Sequence, residues 1–315
     1  MKRLFIIGNG FDLAHGIHSS YEDFRKYLVF KLETITGKNF NNFDFFNSNI
    51  LTNDYIETPE NDLLTILYFL SVSEYKGSLD IEWKNVEKSV GELDFSEFEY
   101  LYIDESKDDK EYRANWINHD LFLPYVDLLT EIPSYFREWI CQISLSNIRI
   151  NKNIQKFFND NTIFLCFNYT NTLEKVYNIG RHNICYIHGN ANEKTDIYFG
   201  HGNDLTYDDF INSISNLNYF SVADEYCEIN DILRKPVKNI IDNNLEFFSD
   251  LTDVDQIYSY GFSYGEVDQP YIRKICESIP LNCEWYINSF PDKKQKETFK
   301  SIINNCGYKG IVKEF

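Results

Sequence analysis

Apolar residues along this chain gather into short continuous runs, each broken off by glycine or small polar residues. Arg3 to Ile7 stops at Gly8-Asn9-Gly10, Thr162 to Phe167 at Asn168-Tyr169-Thr170, and Ile184 to Ile187 at His188-Gly189. Asp196 to Phe199 stops at Gly200-His201-Gly202, Gln256 to Tyr260 at Gly261-Phe262-Ser263, and Glu284 to Asn288 precedes a helical stretch over about 292–305. Strands covered on both faces lose the apolar/polar alternation, and most of these runs are followed by helical spacing. The pattern therefore predicts an α/β, Rossmann-like doubly wound, mainly parallel sheet. Ligands in such folds bind at the carboxyl ends of the strands.

The stretch 31–149 reads differently, with helical spacing in ENDLLTILYFLSVSEY, IEWKNVEKSV and NHDLFLPYVDLLTEIPSYFREWI. It predicts a large helical insertion after the first strand and helix, with residues 1–30 and 150–315 as the nucleotide-binding core. The acidic run at 105–112 is expected as an exposed loop. Residues 203–250 read as a polar, mainly helical connection.

Composition narrows the function classes. With 43% hydrophobic and 17% aromatic residues the chain can bury a sizeable core. A formal charge of −19 argues against a broad nucleic-acid footprint, which draws on clustered Lys and Arg. No stretch has the length of a membrane span or a signal-peptide core, so a cytoplasmic location and no membrane partner are expected. The seven cysteines include no C-x-x-C pair, and no H-x-x-x-H or Asp/His cluster suggests a metal, so neither a disulfide framework nor a metal site is expected.

Four stretches could carry chemistry. Gly8-Asn9-Gly10-Phe11-Asp12 is either a tight turn or a loop that brings backbone donors to a phosphate. The Rossmann glycine pattern is incomplete there, since Leu13 stands where the third glycine belongs and Gly16 comes three places late. Ser20 is placed to cap a following helix, with Asp23 three residues on. Asn168 either caps the next helix with Thr170 and Asn171, or grips a sugar hydroxyl with its amide. His188 and His201 each sit beside glycine at the end of an apolar run, where an imidazole can act as a general base. The short turn between them suggests an antiparallel hairpin, which would let one of the two face the ligand edge easily. Gly261 and Ser263 either admit an adenosine or form an ordinary loop, and Asp268 before Gln269-Pro270 suits a helix N-terminus. His15, His18, His119 and His182 read as structural.

In this order the stretches resemble the bacteriophage abortive infection AbiH family, through IIGNGFDLAHG, SSYEDF, WKNVE at 83–87, FNYTNTLE, IHG, GHG and YGFSYGEVD. That family is in turn similar to the sirtuin-like NAD-binding fold of anti-phage NAD hydrolases. The resemblance implies a defence protein that binds NAD or a related nucleotide and hydrolyses its N-glycosidic bond, with no prosthetic group. An unidentified phage-derived trigger and a homo-oligomer are compatible with it. It implies that Gly8, Asn9, Gly10 and Phe11 hold the pyrophosphate, that Asn168 positions the ribose, that His188 is the base, and that Thr170, His201, Gly261 and Ser263 contact the nucleotide. Asp12 is the candidate for stabilising positive charge. Two departures stand out. Thr170 replaces the Asp of an Asn-Tyr-Asp stretch, and the paired zinc cysteines of protein deacetylases are absent, which favours hydrolysis over deacetylation. The rival reading is a nucleotide sensor or assembly module without turnover, and a nuclease is a more distant one.

Overall fold

A computed structural model describes residues 1–40, 43–45, 56–76, 120, 123–193, 196–213, 223–289 and 291–315. The expected helix at 81–90 with Glu87, the acidic run at 105–112 and His119 lie outside the described residues. β1 (Lys2–Ile7) leads through Gly8 into the short helix α1 (Asn9–Ala14), and α2 (Tyr21–Thr36) starts directly after Ser20. Next come α3 (Pro59–Lys76), α4 (Ile132–Gln142), α5 (Lys152–Gln155), β2 (Thr162–Cys166), α6 (Thr172–Tyr177) and β3 (Ile184–Tyr186). The chain continues through α7 (Tyr207–Ser213), α8 (Ala223–Ile232), α9 (Val237–Asn243), α10 (Leu245–Ser249) and β4 (Val254–Tyr260). It closes with α11 (Gln269–Ser278), β5 (Glu284–Ile287), α12 (Lys293–Asn305) and β6 (Val312–Glu314).

The chain divides into two compact units, one of Met1–Ser20, Arg137–Tyr198 and Pro236–Phe315, the other of Tyr21–Phe136 and Phe199–Lys235. The first holds a six-stranded sheet of order β3-β2-β1-β4-β5-β6, every pairing parallel. This is the strand order of dinucleotide-binding Rossmann folds, and it reverses direction at β1. β1 sits at the centre, and Leu4, Phe5, Ile6 and Ile7 are each fully buried. Burying a side chain of that size is worth about 1.5–3 kcal/mol, which explains why this strand reads as an unbroken apolar run. One face, with Leu4, Ile6, Leu165, Ile257 and Trp285, packs under residues of α9 to α12 such as Ile240, Phe248, Ile275 and Ile303. The other, with Phe5, Ile7, Phe164 and Tyr258, packs under Phe11, Ile154, Leu173 and Tyr177.

In the second unit α2 buries Tyr21, Phe24, Leu28 and Leu32 along one face and packs against α3. Phe136 lies edge-on to Phe24 and stacks on Phe199, with ring centroids 5.5 and 4.8 Å apart.

Two features differ from the sequence expectation. Residues 196–199 are not a strand and form no hairpin with β3; one backbone bond, Tyr198 N–H to the His188 carbonyl at 3.0 Å, ties that segment to the turn after β3. The glycine that follows, Gly200, has φ +144°, a conformation that interrupts extended pairing. The second difference is β6, a three-residue edge strand of which Val312 alone is buried.

Candidate functional site

Register makes the carboxyl edge of the sheet level where it matters. Ile7 pairs with both Cys166 and Tyr260, and Cys166 pairs with Tyr186. The connections after β1, β2, β3 and β4 therefore leave from one line. They carry Asp12, Asn168, His188 and the segment Gly261 to Asp268 respectively.

The glycines after β1 serve a contact between backbones. Gly8 N–H donates to the Tyr260 carbonyl at 3.2 Å, Gly10 N–H to the Gly261 carbonyl at 2.9 Å, and Phe11 N–H to the Gly8 carbonyl at 2.9 Å. A Cβ on Gly8 would stand 2.5 Å from the Gly261 carbonyl oxygen, and one on Gly10 2.7 Å from Gly261 Cα. Gly261 has φ +63°, and a Cβ there would stand 2.1 Å from Phe11 N. What approaches the Gly8-Asn9-Gly10 turn is the turn after β4, and of the four residues expected at a pyrophosphate the amides of Gly8, Gly10 and Phe11 are engaged within the protein. Asn9 is engaged too, since its Nδ2 donates to the Ser19 carbonyl at 3.0 Å and its Oδ1 accepts from Ser19 Oγ at 2.8 Å. Phe11 is a core residue packed against His15, Tyr177 and Tyr260.

Asp12 is different. It is fully buried on α1, and Thr170 Oγ1 donates to its Oδ2 at 2.6 Å while lying 2.9 Å from Thr172 Oγ1. Among the described residues its Oδ1 has no hydrogen-bond partner. Burial pushes the carboxyl above the ordinary carboxylate range; the Thr170 bond and, beyond it, the nearby Thr172, Asn168 and His15 pull the other way. Asn168 is 4% exposed, and neither its Nδ2 nor its Oδ1 has a hydrogen-bond partner among the described residues. The capping reading fails for it: α6 begins after Asn171, and no side chain closes that cap. Buried polar atoms without partners cost about 1–3 kcal/mol each, so three of them at neighbouring strand ends mark a place that gains from a polar ligand.

His188 is 3% exposed, with its ring edge-on to Phe167 and Tyr271 and stacked on Tyr169. Its Nε2 lies 3.5 Å from Oδ1 of Asp268, which is 7% exposed. Asp268 reads in the sequence as a helix N-terminal residue and nothing more. Only the fold brings it to a histidine eighty positions earlier, so no local signal could have paired them.

His201 belongs to the second unit. Its Nε2 faces the Asn230 carbonyl at 3.0 Å and its Nδ1 accepts from Asn203 N–H at 3.3 Å, so both ring nitrogens are engaged. Burial brings its pKa down to about 4. His15 is likewise engaged, with Nδ1–H donating to the Phe11 carbonyl and Nε2 accepting from Tyr177 O–H. Gly261 and half-buried Ser263 lie in the connection after β4, which also holds Tyr264 at φ +56°. A buried tyrosine seldom adopts that conformation. Its hydroxyl is fixed by donating to Ser259 Oγ at 2.5 Å and accepting from Trp285 Nε1 at 3.3 Å.

Among the described residues no three His, Cys, Asp or Glu side chains are grouped to hold a metal ion, and no helix is long and apolar enough to cross a membrane. The cysteines among them are free thiols. Neither the curated proteins nor the solved structures give a match to this chain. A family model does match, over residues 4–289, which takes in β1 from Leu4 onward, the glycine turn, Asp12, Asn168, His188 and Asp268. With that span covered, the chain is a member of the bacteriophage abortive infection AbiH family.

Proposed function

We propose that this abortive-infection protein acts by binding the ribosyl end of NAD at the carboxyl edge of its sheet and hydrolysing the bond to nicotinamide. The observation that carries the reading is the set of buried atoms without hydrogen-bond partners among the described residues, Asp12 Oδ1 and Asn168 Nδ2 and Oδ1, beside the point where the strand order reverses. An amide offers one donor and one acceptor side, which matches the paired hydroxyls of a ribose. A carboxylate held where its charge is costly gains from a cationic partner, and the nicotinamide ribosyl group becomes more cationic at C1′ as the glycosidic bond lengthens.

The reaction balances without further groups. Water attacks C1′, the C1′–N bond breaks, its electron pair leaves with neutral nicotinamide, and His188 takes the proton from the water. General-base assistance of this kind is worth ~10²–10⁴-fold. Since the Gly8 and Gly10 amides are engaged, recognition in this reading rests on the ribose and not on a pyrophosphate cradle.

That engagement also favours a second reading, a nucleotide sensor without turnover, in which the same ribose contacts hold a ligand that is not cleaved. Nicotinamide release by the purified chain separates them. The expected result is steady release that Asn168→Ala lowers at least about tenfold, in line with the loss of hydrogen bonds worth 1.5–3 kcal/mol to a charged transition state. Saturable binding of NAD or ADP-ribose by calorimetry with no release would replace hydrolysis by the sensor reading.

A further inference from the structure

We infer that Thr170, backed by Thr172, is a positioning residue that keeps the Asp12 carboxylate ionised and turned so that one oxygen, Oδ1, is left for the ligand; the inference rests on Asp12 acting at the ribosyl cation. The residues come from neighbouring connections. Asp12 stands on α1 just past Ile7, and Thr170 lies in the connection that leaves β2 beside it, since Ile7 and Cys166 are register partners. Backbone bonds fix both sides. The Asp12 carbonyl accepts from His15 N–H at 3.0 Å and from Ile17 N–H at 3.1 Å. Phe167 N–H donates to the Ile7 carbonyl at 2.8 Å, and Ala191 N–H to the Tyr169 carbonyl at 3.1 Å.

Asp12, Thr170 and Thr172 are all buried. A threonine hydroxyl has a single proton to give. Thr170 gives its own to Asp12 Oδ2 at 2.6 Å, so across the 2.9 Å to Thr172 it is Thr172 that donates to Thr170 Oγ1. The result is a directed chain from Thr172 through Thr170 to Asp12, in which each bond polarises the next toward the carboxylate. Oδ2 is thereby committed to the protein. Oδ1, without a hydrogen-bond partner among the described residues, is the oxygen that meets C1′ as positive charge develops there.

The same chain decides the charge. Burial raises the Asp12 carboxyl above its ordinary range, and the Thr170 bond is the largest influence that lowers it, ahead of Thr172, Asn168 and His15. A protonated carboxyl cannot stabilise a cation, so losing the hydroxyls favours the inactive form. The titratable side chains acting on Asp12 are His15, directly after α1, and Cys166, at the end of β2, whose thiol is pushed up by burial.

The test follows Asp12 Cγ by NMR in the full chain labelled with ¹³C-aspartate, the signal being assigned by its loss in Asp12→Asn. Thr170→Val keeps the shape of the side chain and removes its hydroxyl. It should move the Asp12 titration midpoint about one pH unit upward and carry the acid limb of kcat/KM for nicotinamide release with it. Near pH 7 it should lower kcat about tenfold with little change in KM. Thr170→Ser, which restores the donor, should return midpoint and rate toward the parent. If Thr170→Val does not fold, Thr172→Val carries the test, with a smaller upward movement expected. An unmoved midpoint in the folded variant overturns the proposal. If the midpoint moves but the parent releases no nicotinamide, the control of Asp12 by Thr170 stands and the hydrolase reading falls.

Discussion

His188 and His201 lie in stretches that read almost alike, YIHGN and YFGHGN, yet the fold treats them in opposite ways. Each neighbouring glycine is forced by a carbonyl: a Cβ on Gly189, at φ +85°, would stand 2.0 Å from the Asp196 oxygen, and one on Gly200 1.8 Å from the Leu233 oxygen. The glycines are thus equivalent and the imidazoles are not. His201 makes two hydrogen bonds inside its own unit and is pushed toward its neutral form, whereas His188 meets a carboxylate at the strand edge. A histidine beside a glycine marks a turn; what faces its two nitrogens decides whether it can do chemistry.

The comparison breaks most visibly in turnover. His188→Ala should cut nicotinamide release ~10²–10⁴-fold in the folded protein, a far larger loss than the lower melting temperature expected from emptying its place among Phe167, Tyr169 and Tyr271. His201→Ala should read out in the melting curve, with about 1–3 kcal/mol lost as the Asn230 carbonyl and Asn203 amide are left without partners. If His201→Ala abolished release in a fully folded protein, the assignment of roles would have to be exchanged.

Next in size are the glycines. Gly189→Ala and Gly200→Ala should destabilise by similar amounts, about 1–3 kcal/mol from the backbone conformation alone and more from the clash, measurable by urea unfolding. A large difference between them would show that the two turns are not equivalent after all.

The smallest effect is in pH. An ordinary histidine titrates near 6.5, and burial lowers His201 to about 4. The unfolded chain therefore binds the proton first, so this contribution to stability is complete above about pH 6.5 and fades as pH falls toward 4. Its ceiling is about 3 kcal/mol, and His201→Gln should flatten that component in unfolding curves taken between about pH 7.5 and about pH 5. An unaltered slope would mean that other groups carry it.

Much of the core was legible because long buried strands carry their own signal. β1, β2, β3, β4 and β5 all appear as apolar runs with polar or glycine stops. β6 gave none, since three residues with only Val312 buried make no run. Residues 196–199 gave a false one, because Ile197, Tyr198 and Phe199 are apolar for packing and not for pairing, and Gly200 then turns the chain. At the site, Asp12, Asn168 and His188 were readable as polar residues standing where apolar runs stop. Their partners were not: Thr170 beneath Asp12 and Asp268 beside His188 are set by register between strands distant in sequence. The glycines after β1 read in the sequence as either a tight turn or a phosphate loop, and local sequence cannot say that the body approaching them is the protein's own backbone after β4.

That last contact limits how such a chain can vary over generations. Gly8, Gly10 and Gly261 each occupy space that a methyl group on any of them would need, so no one of the three can change alone and be rescued by the others. Inheritance must therefore carry the turn after β1 and the turn after β4 as a matched pair, although 250 residues of chain lie between them. Recombination that exchanged one turn for a differently shaped relative would separate the halves of a single fitted joint. Diversification is left to the side chains around it, among them Ser263 and the residues that follow β2 and β3.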